Sequence, residues 1–187
     1  MLRNVLKNNK NLILADCIKL LDTLLKLAMK FENIGIVHRD IKPDNIIMTS
    51  SHEFYLLDFG IVRVLNMESL TMTELAIGPN TPGYAPPEQF RNFKKNIDIR
   101  TDLFSIGVTV YECITGENPF RKNAVDPLEV LYRTVTIFPQ EYEIEGDTDK
   151  QLMSYLSVLM SKMPSRRPKD ANTAYQWFKA ILPTIQY

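Results

Sequence analysis

His38-Arg39-Asp40-Ile41-Lys42-Pro43-Asp44-Asn45 is the stretch on which the reading of this chain turns. Pro43 fixes the backbone in its middle, and Gly35 shortly before it breaks an incoming helix, so the stretch reads as a loop. Three of its side chains carry distinct chemistry. The Asp40 carboxylate can accept a proton, the Lys42 ammonium can reach an anion, and the Asn45 carboxamide offers a neutral oxygen to a hard cation. Taken singly, an Asp, a Lys and an Asn in a loop are ordinary solvated residues. Their order gains meaning from five further segments downstream in the chain.

Thirteen residues after Asn45 stands Asp58-Phe59-Gly60, preceded by the strand-like run Tyr55-Leu56-Leu57. Then come Thr81-Pro82-Gly83-Tyr84-Ala85-Pro86-Pro87-Glu88, Asp102-Leu103-Phe104-Ser105-Ile106-Gly107, Thr115-Gly116-Glu117-Asn118-Pro119-Phe120 and Arg167-Pro168. In this order the segments resemble the motifs of the serine/threonine protein kinase family: the H-R-D-x-K-P-x-N catalytic loop, D-F-G, T-P-G-Y-x-A-P-E, D-x-x-S-x-G, T-G-x-x-P-F and a late R-P. Lys42 and Thr81 mark the serine/threonine branch. The resemblance runs from about residue 2 to residue 182, and Tyr84-Ala85-Pro86-Pro87-Glu88-Gln89 is similar to bacterial members. Pro86 stands where A-P-E has Ala, and Asn80 where a Gly usually precedes Thr81. Neither departure removes a catalytic group.

The resemblance implies a role for each matching residue. Asp40 accepts the substrate hydroxyl proton, and Lys42 reaches the transferred phosphate. Asn45 and Asp58 hold magnesium, and Ile47 packs under the adenine of ATP. Thr81 bridges Asp40 and Lys42, and Asp102 anchors the backbone of the catalytic loop. Glu88 pairs with Arg167 in a buried ion pair. His38, Ile47 and Phe59 form a face that an upper lobe covers. Arg39, directly before Asp40, marks kinases whose loop is ordered by phosphorylation, with Ser69, Thr71 and Thr73 as the candidate sites. Thr81 is a further hydroxyl in the segment 58–88.

Only 37 residues precede His38, and no Gly occurs before Gly35. The family's Gly-rich phosphate loop and strand lysine are therefore not found; Leu27-Ala28-Met29-Lys30 imitates V-A-I-K but lies in a helical pattern. The expectation is a single domain over 1–187 with the fold of a kinase C-terminal lobe, mainly α with a small β hairpin and without the ATP lobe. ATP and magnesium belong to the complete enzyme and bind this chain weakly or not at all. Three readings stand: the catalytic lobe of an ordinary kinase, inactive alone; a natural half-kinase that binds and regulates another protein; and a minimal phosphotransferase. The expected partners are a protein substrate and an ATP lobe or other kinase, or a second copy meeting the face of Ile47 and Phe59.

Composition narrows the alternatives. The 187 residues are 45% hydrophobic and 24% charged, as in a chain with a packed core. Lys+Arg and Asp+Glu number 22 each, so there is no general pull toward nucleic acid or an anionic membrane. No apolar run approaches the ~18 residues of a membrane span, and none at the start resembles a signal peptide, which makes a cytoplasmic protein the expectation. Cys17 and Cys113 lie in apolar helical patterns and read as buried thiols.

The periodicity predicts a short helix over 2–9 and an amphipathic helix over 12–31. Ile34 to Asn45 reads as turn and loop, with strands at 46–48 and 55–57 around a polar turn. A helix over 101–115, apolar almost all round, belongs in the middle of a core and ends at Gly116. Further helices are predicted over 127–135 and 150–163, and a last one capped by Asp170.

Overall fold

The computed structural model describes residues 1–57, 63–64, 81–90 and 97–187, and of 63 and 64 the backbone. The described residues are mostly helical. Helix α1 spans Leu2–Asn9 and α2 spans Leu14–Asn33. Two-residue strand β1, Ile36–Val37, precedes the catalytic-type loop, which closes in a 3₁₀ turn at Pro43–Asn45. Strands β2, Ile46–Met48, and β3, Phe54–Leu56, form an antiparallel hairpin in which Ile47 faces Tyr55. Strand β4, Arg63–Val64, pairs antiparallel with β1. Helices α3 (Pro87–Phe90), α4 (Ile99–Thr115), α5 (Pro127–Thr136), α6 (Gln151–Leu159) and α7 (Ala171–Ile181) complete the elements.

The core is built around α4. Every residue from Thr101 to Ile114 is buried, so this helix has no solvent face. On α2 the buried positions Cys17, Leu21, Leu24, Leu25, Ala28 and Phe31 recur at helical spacing and pack against α4 and α7. Each such fully buried aliphatic side chain contributes about 1.5–3 kcal/mol. Helices α4 and α6 cross closely at Gly107, where a Cβ would lie 2.9 Å from the Leu159 Cβ. The caps follow the sequence. Asp98 accepts from the Arg100 amide at 2.9 Å, Asp170 accepts from the Thr173 amide at 2.6 Å, and Gly116 ends α4 at φ 78°.

Two elements differ from expectation. The segment predicted as a helix over 150–163 is helical only from Gln151 to Leu159. Lys150 sits at φ 53° before the first turn, and Pro164 opens a separate 3₁₀ turn. The β1–β4 pair was not expected, because two-residue strands carry no alternation to read.

The loop after α6 holds an unusual cation. Lys162 Nζ is buried without a hydrogen-bond partner among the described residues. It lies 4.1 Å from the Phe120 ring centroid and 5.8 Å from that of Phe104, two rings stacked on each other. Burial, and then the neighbouring Arg167 charge, push the Lys162 ammonium down to about 7 from 10.5. The unfolded chain therefore binds more protons than the folded one between those values. The penalty is fully present below pH 7 and is relieved as pH rises through the window. Thermal unfolding of the wild type should show stability rising from pH 7 toward pH 10. Lys162→Met should be more stable than wild type at pH 7 and should lack that rise; parallel curves for the two proteins would contradict the assignment.

Candidate active site

The catalytic-type loop is fixed from beneath by the buried helix α4. Asp102, fully buried, accepts from the His38 amide through Oδ2 and from the Arg39 amide through Oδ1, both at 2.8 Å. Burial pushes the Asp102 carboxyl up to about 6, against the two amide hydrogen bonds and the Arg39 charge. At neutral pH it is ionised and both oxygens accept. Arg39 takes φ 71°, a left-handed conformation that costs a non-glycine residue about 1–2 kcal/mol. Its carbonyl accepts from Gln89 Nε2 at 2.8 Å, which ties the loop to α3. His38 has no exposed surface and stacks on Phe31, centroids 5.9 Å apart.

Above this support, four side chains meet. Lys42 Nζ lies 2.9 Å from Asp40 Oδ1, 2.8 Å from Asp40 Oδ2 and 2.8 Å from Thr81 Oγ1. The Thr81 hydroxyl donates to Asp40 Oδ1 at 2.7 Å. Asn45 Nδ2 donates to the Asp40 carbonyl at 2.9 Å and to its Oδ2 at 2.8 Å. Burial alone would push the Asp40 carboxyl up. The Lys42, Thr81 and Asn45 hydrogen bonds outweigh it and hold Asp40 below the usual carboxylate range. The cluster thus keeps an ionised, oriented base at neutral pH. Asn45 commits its amide nitrogen to Asp40 and keeps its carboxamide oxygen uncommitted among the described residues.

Comparison with known proteins agrees with this geometry. The model of the protein kinase domain family matches residues 1–180. The chain belongs to the protein kinase family. Its relatives include bacterial serine/threonine kinases. It is 34% identical over 138 residues to serine/threonine-protein kinase PknL of Mycobacterium tuberculosis strain H37Rv, covering 73% of this chain and 33% of that protein. It is 38% identical over 145 residues to the probable serine/threonine-protein kinase PknB of Bifidobacterium longum, covering 78% of this chain and 21% of the relative. To the probable serine/threonine-protein kinase SCO3848 of Streptomyces coelicolor it is 34% identical over 172 residues, covering 91% and 25%. In these relatives the matched part is a third of the protein or less.

Of the other expected residues, Ile47, Glu88 and Arg167 fall at defined places in this kinase domain. Ile47 is half-buried on β2, opposite the exposed Tyr55. Glu88 at α3 and Arg167 after α6 form a bidentate pair, Nη1–Oε1 2.6 Å and Nη2–Oε2 3.1 Å. Asp58, Phe59, Ser69, Thr71, Thr73 and Asn80 lie outside the described residues.

A second polar junction had no signal in the sequence. From α1, Arg3 donates Nη1 to Glu112 Oε1 at 2.7 Å, Nε to Asp44 Oδ2 at 3.1 Å, and Nη2 to the Tyr84 hydroxyl. The Tyr84 hydroxyl in turn donates to Glu112 Oε2, and Arg121 stacks over the same ring at 4.8 Å. Arg3 and Glu112 are 109 positions apart, so no local pattern announces their meeting.

The Glu88–Arg167 pair gives a sharp stability test. Both residues are buried, at 3% and 4% exposure. Removing one partner strands a buried charge and should cost about 3–5 kcal/mol, as Glu88→Ala or Arg167→Ala. The double variant Glu88→Leu with Arg167→Met should cost markedly less than either single one. Urea unfolding measures all three; additive losses would show that the pair is not coupled.

Proposed function

We propose that this chain is the substrate-side lobe of a serine/threonine protein kinase, which in the complete enzyme transfers the terminal phosphoryl group of ATP to a protein hydroxyl. The observation that carries the reading is the closed set of contacts among Asp40, Lys42, Thr81 and Asn45. Asp40 is the general base and takes the proton of the substrate Ser or Thr hydroxyl. Lys42, steadied by Asp40 and Thr81, presents positive charge to the phosphoryl group in flight. Asn45 holds the Asp40 carboxylate in place. Phosphoryl transfer needs positioning and charge neutralisation more than covalent help, and these residues offer both.

The uncommitted Asn45 oxygen suits magnesium, a hard cation that takes oxygen ligands. We assign Asn45 and Asp58 to hold it and Ile47 to pack against the nucleotide. Magnesium and ATP, when bound, supply the electrophilic phosphoryl group and neutralise its charge.

The 187 residues contain no G-x-G-x-x-G, so nothing in them covers the triphosphate. The chain alone should therefore turn over negligibly. Labelled-phosphate transfer to a generic protein acceptor tests this: clear turnover that vanishes in Asp40→Asn would show that the lobe works unaided. In the complete kinase, Asp40→Asn should lower kcat by about 10²–10⁴. Because Asp40 is held below the usual carboxylate range, wild-type activity should persist through mild acid.

We assign regulation to Arg39 and the hydroxyls Ser69, Thr71 and Thr73, with a phosphate on one of them pairing with the Arg39 guanidinium. Thr81 is already committed to Asp40 and Lys42. Replacing Ser69, Thr71 and Thr73 together by Ala in the complete kinase should lower activity several-fold. Undiminished activity would refute this assignment.

A further inference from the structure

The loop after α4 places a cation beside the segment 81–84 and leaves part of its hydrogen-bonding capacity open. Arg121 is held at three points. Its amide donates to Asn118 Oδ1 at 3.0 Å, its Nε donates to the Pro82 carbonyl at 2.8 Å, and its guanidinium lies 4.8 Å from the Tyr84 ring centroid. An arginine stacks on an aromatic face without giving up its in-plane donors. Gly83 makes the close approach possible. It takes φ 89°, and a Cβ there would stand 2.8 Å from the Arg121 Cγ. Asn118 ties the same place together, its Nδ2 donating to the Gly83 carbonyl at 3.1 Å.

The outer part of the guanidinium stays open. Arg121 is exposed, and its Nη1 and Nη2 donors have no partner among the described residues. No carboxylate engages it there, because the neighbouring acids have other partners. Glu117 pairs with Lys122 at 2.6 Å, while Glu112 and Asp44 accept from Arg3. A guanidinium whose stem is already ordered loses little freedom on meeting an anion, and its planar donors match a carboxylate. The position is also close to Asp40. The path from one to the other runs through the Thr81 hydroxyl, one residue of backbone and the Pro82 carbonyl, about 12 Å at most. An extended peptide advances about 3.3 Å per residue, so a side chain within about four positions of an acceptor hydroxyl at Asp40 reaches Arg121.

We propose that Arg121 is a specificity-determining residue, selecting protein substrates that carry Asp or Glu within about four positions of the acceptor Ser or Thr. This rests on the assignment of Asp40 as the base. The substrate carboxylate bonds to the open guanidinium donors while Pro82 and Tyr84 hold the arginine stem. The same cation disfavours a Lys or Arg in that register, so selection has an attractive and a repulsive part. No bond is made or broken at Arg121, which acts by binding alone.

The test uses the 187-residue chain and the fluorescein-labelled peptide Ala-Glu-Glu-Ala-Ser-Ala-Glu-Glu-Ala, with a counterpart in which every Glu is Lys. Fluorescence anisotropy should show the glutamate peptide binding at least ~10-fold more tightly, a preference that added salt weakens. Arg121→Glu should invert the preference, and Arg121→Gln, which removes the charge and keeps much of the length, should reduce it to below ~3-fold. Lys122→Glu makes the same charge change one residue away and should leave the preference as in the wild type. A nitroxide attached at the Ser position of the glutamate peptide should broaden the amide resonances of residues 38–45. Absent saturable binding, equal affinity for the two peptides, a preference kept in both Arg121 variants, or broadening confined to other residues would overturn the proposal. So would an inversion by Lys122→Glu as large as that by Arg121→Glu, which would mean that net charge alone is read. The readout is binding, so an Asp40→Asn variant that still transfers phosphate would overturn the base assignment and leave the peptide preference as measured; the two readings fail separately.

Discussion

The contact on which the site depends is the one between Asp102 and the amides of His38 and Arg39. It joins the most buried helix to the loop that carries Asp40, Lys42 and Asn45. Arg39, directly before Asp40, takes a positive φ, a conformation that costs about 1–2 kcal/mol. Two hydrogen bonds to an ionised acceptor contribute about 1.5–3 kcal/mol each, enough to win. Without the carboxylate, two amides in the protein interior would also lose their acceptor. Helix α4 can perform this task because it has no solvent face. A carboxylate near its first turn, close to the helix N-terminus, is favoured there by the backbone dipoles even though it is buried.

The same helix also holds the segment 81–84. Ser105 donates to the Tyr84 carbonyl at 2.9 Å, and Glu112, two turns further on, receives Arg3 and the Tyr84 hydroxyl. Asn118, just beyond the helix, donates to the Gly83 carbonyl at 3.1 Å, and Arg121 donates to the Pro82 carbonyl at 2.8 Å. Residues 81–84 are thus held by side chains from α1, α4 and the loop after α4. Through Thr81 this segment reaches Asp40, and through Arg3 and Asp44 it reaches the residue next to Asn45. The loop at 38–45 and the segment 81–84 are therefore joined by shared hydrogen bonds, and Arg3 of α1 contacts both.

Much of this was legible in the sequence, and the reason differs by element. The helices α1, α2 and α7 were readable because their burial repeats at helical spacing, α4 because it is apolar almost all round, and Asp170 and Gly116 mark ends by local chemistry. The reading overran on 150–163, where the apolar pattern continues past Leu159 although the backbone does not. Asp40, Lys42, Asn45 and Thr81 were readable as a set through the family resemblance, and the pairing of Glu88 with Arg167 had the same source. Nothing local in either residue names the other across 79 positions. The Arg3 junction and the orphaned Lys162 ammonium were not readable at all, since an Arg on a short amphipathic helix and a Lys in a loop usually face water.

Asp40 and Asp102 show how burial and partners together set a carboxylate's behaviour. Both are buried, and in both the desolvation pushes the carboxyl upward. Asp102 is met by two neutral amides and ends raised. Asp40 is met by an ammonium, a hydroxyl and a carboxamide and ends lowered. Asp102 is the more deeply buried of the two, and its partners are weaker donors than those of Asp40; both differences act in the same direction. A scaffold acceptor only has to remain ionised near neutrality, so about 6 suffices for Asp102. A base must remain ionised while its proton-accepting oxygens stay oriented, which asks for donors that hold the charged form. Lys42 meets that demand for Asp40, with its ammonium 2.8 Å from Oδ2. The ion pair thus helps hold Asp40 in its charged form and also places the Lys42 ammonium beside it, so Lys42 cannot be altered without changing the protonation balance and the local field together.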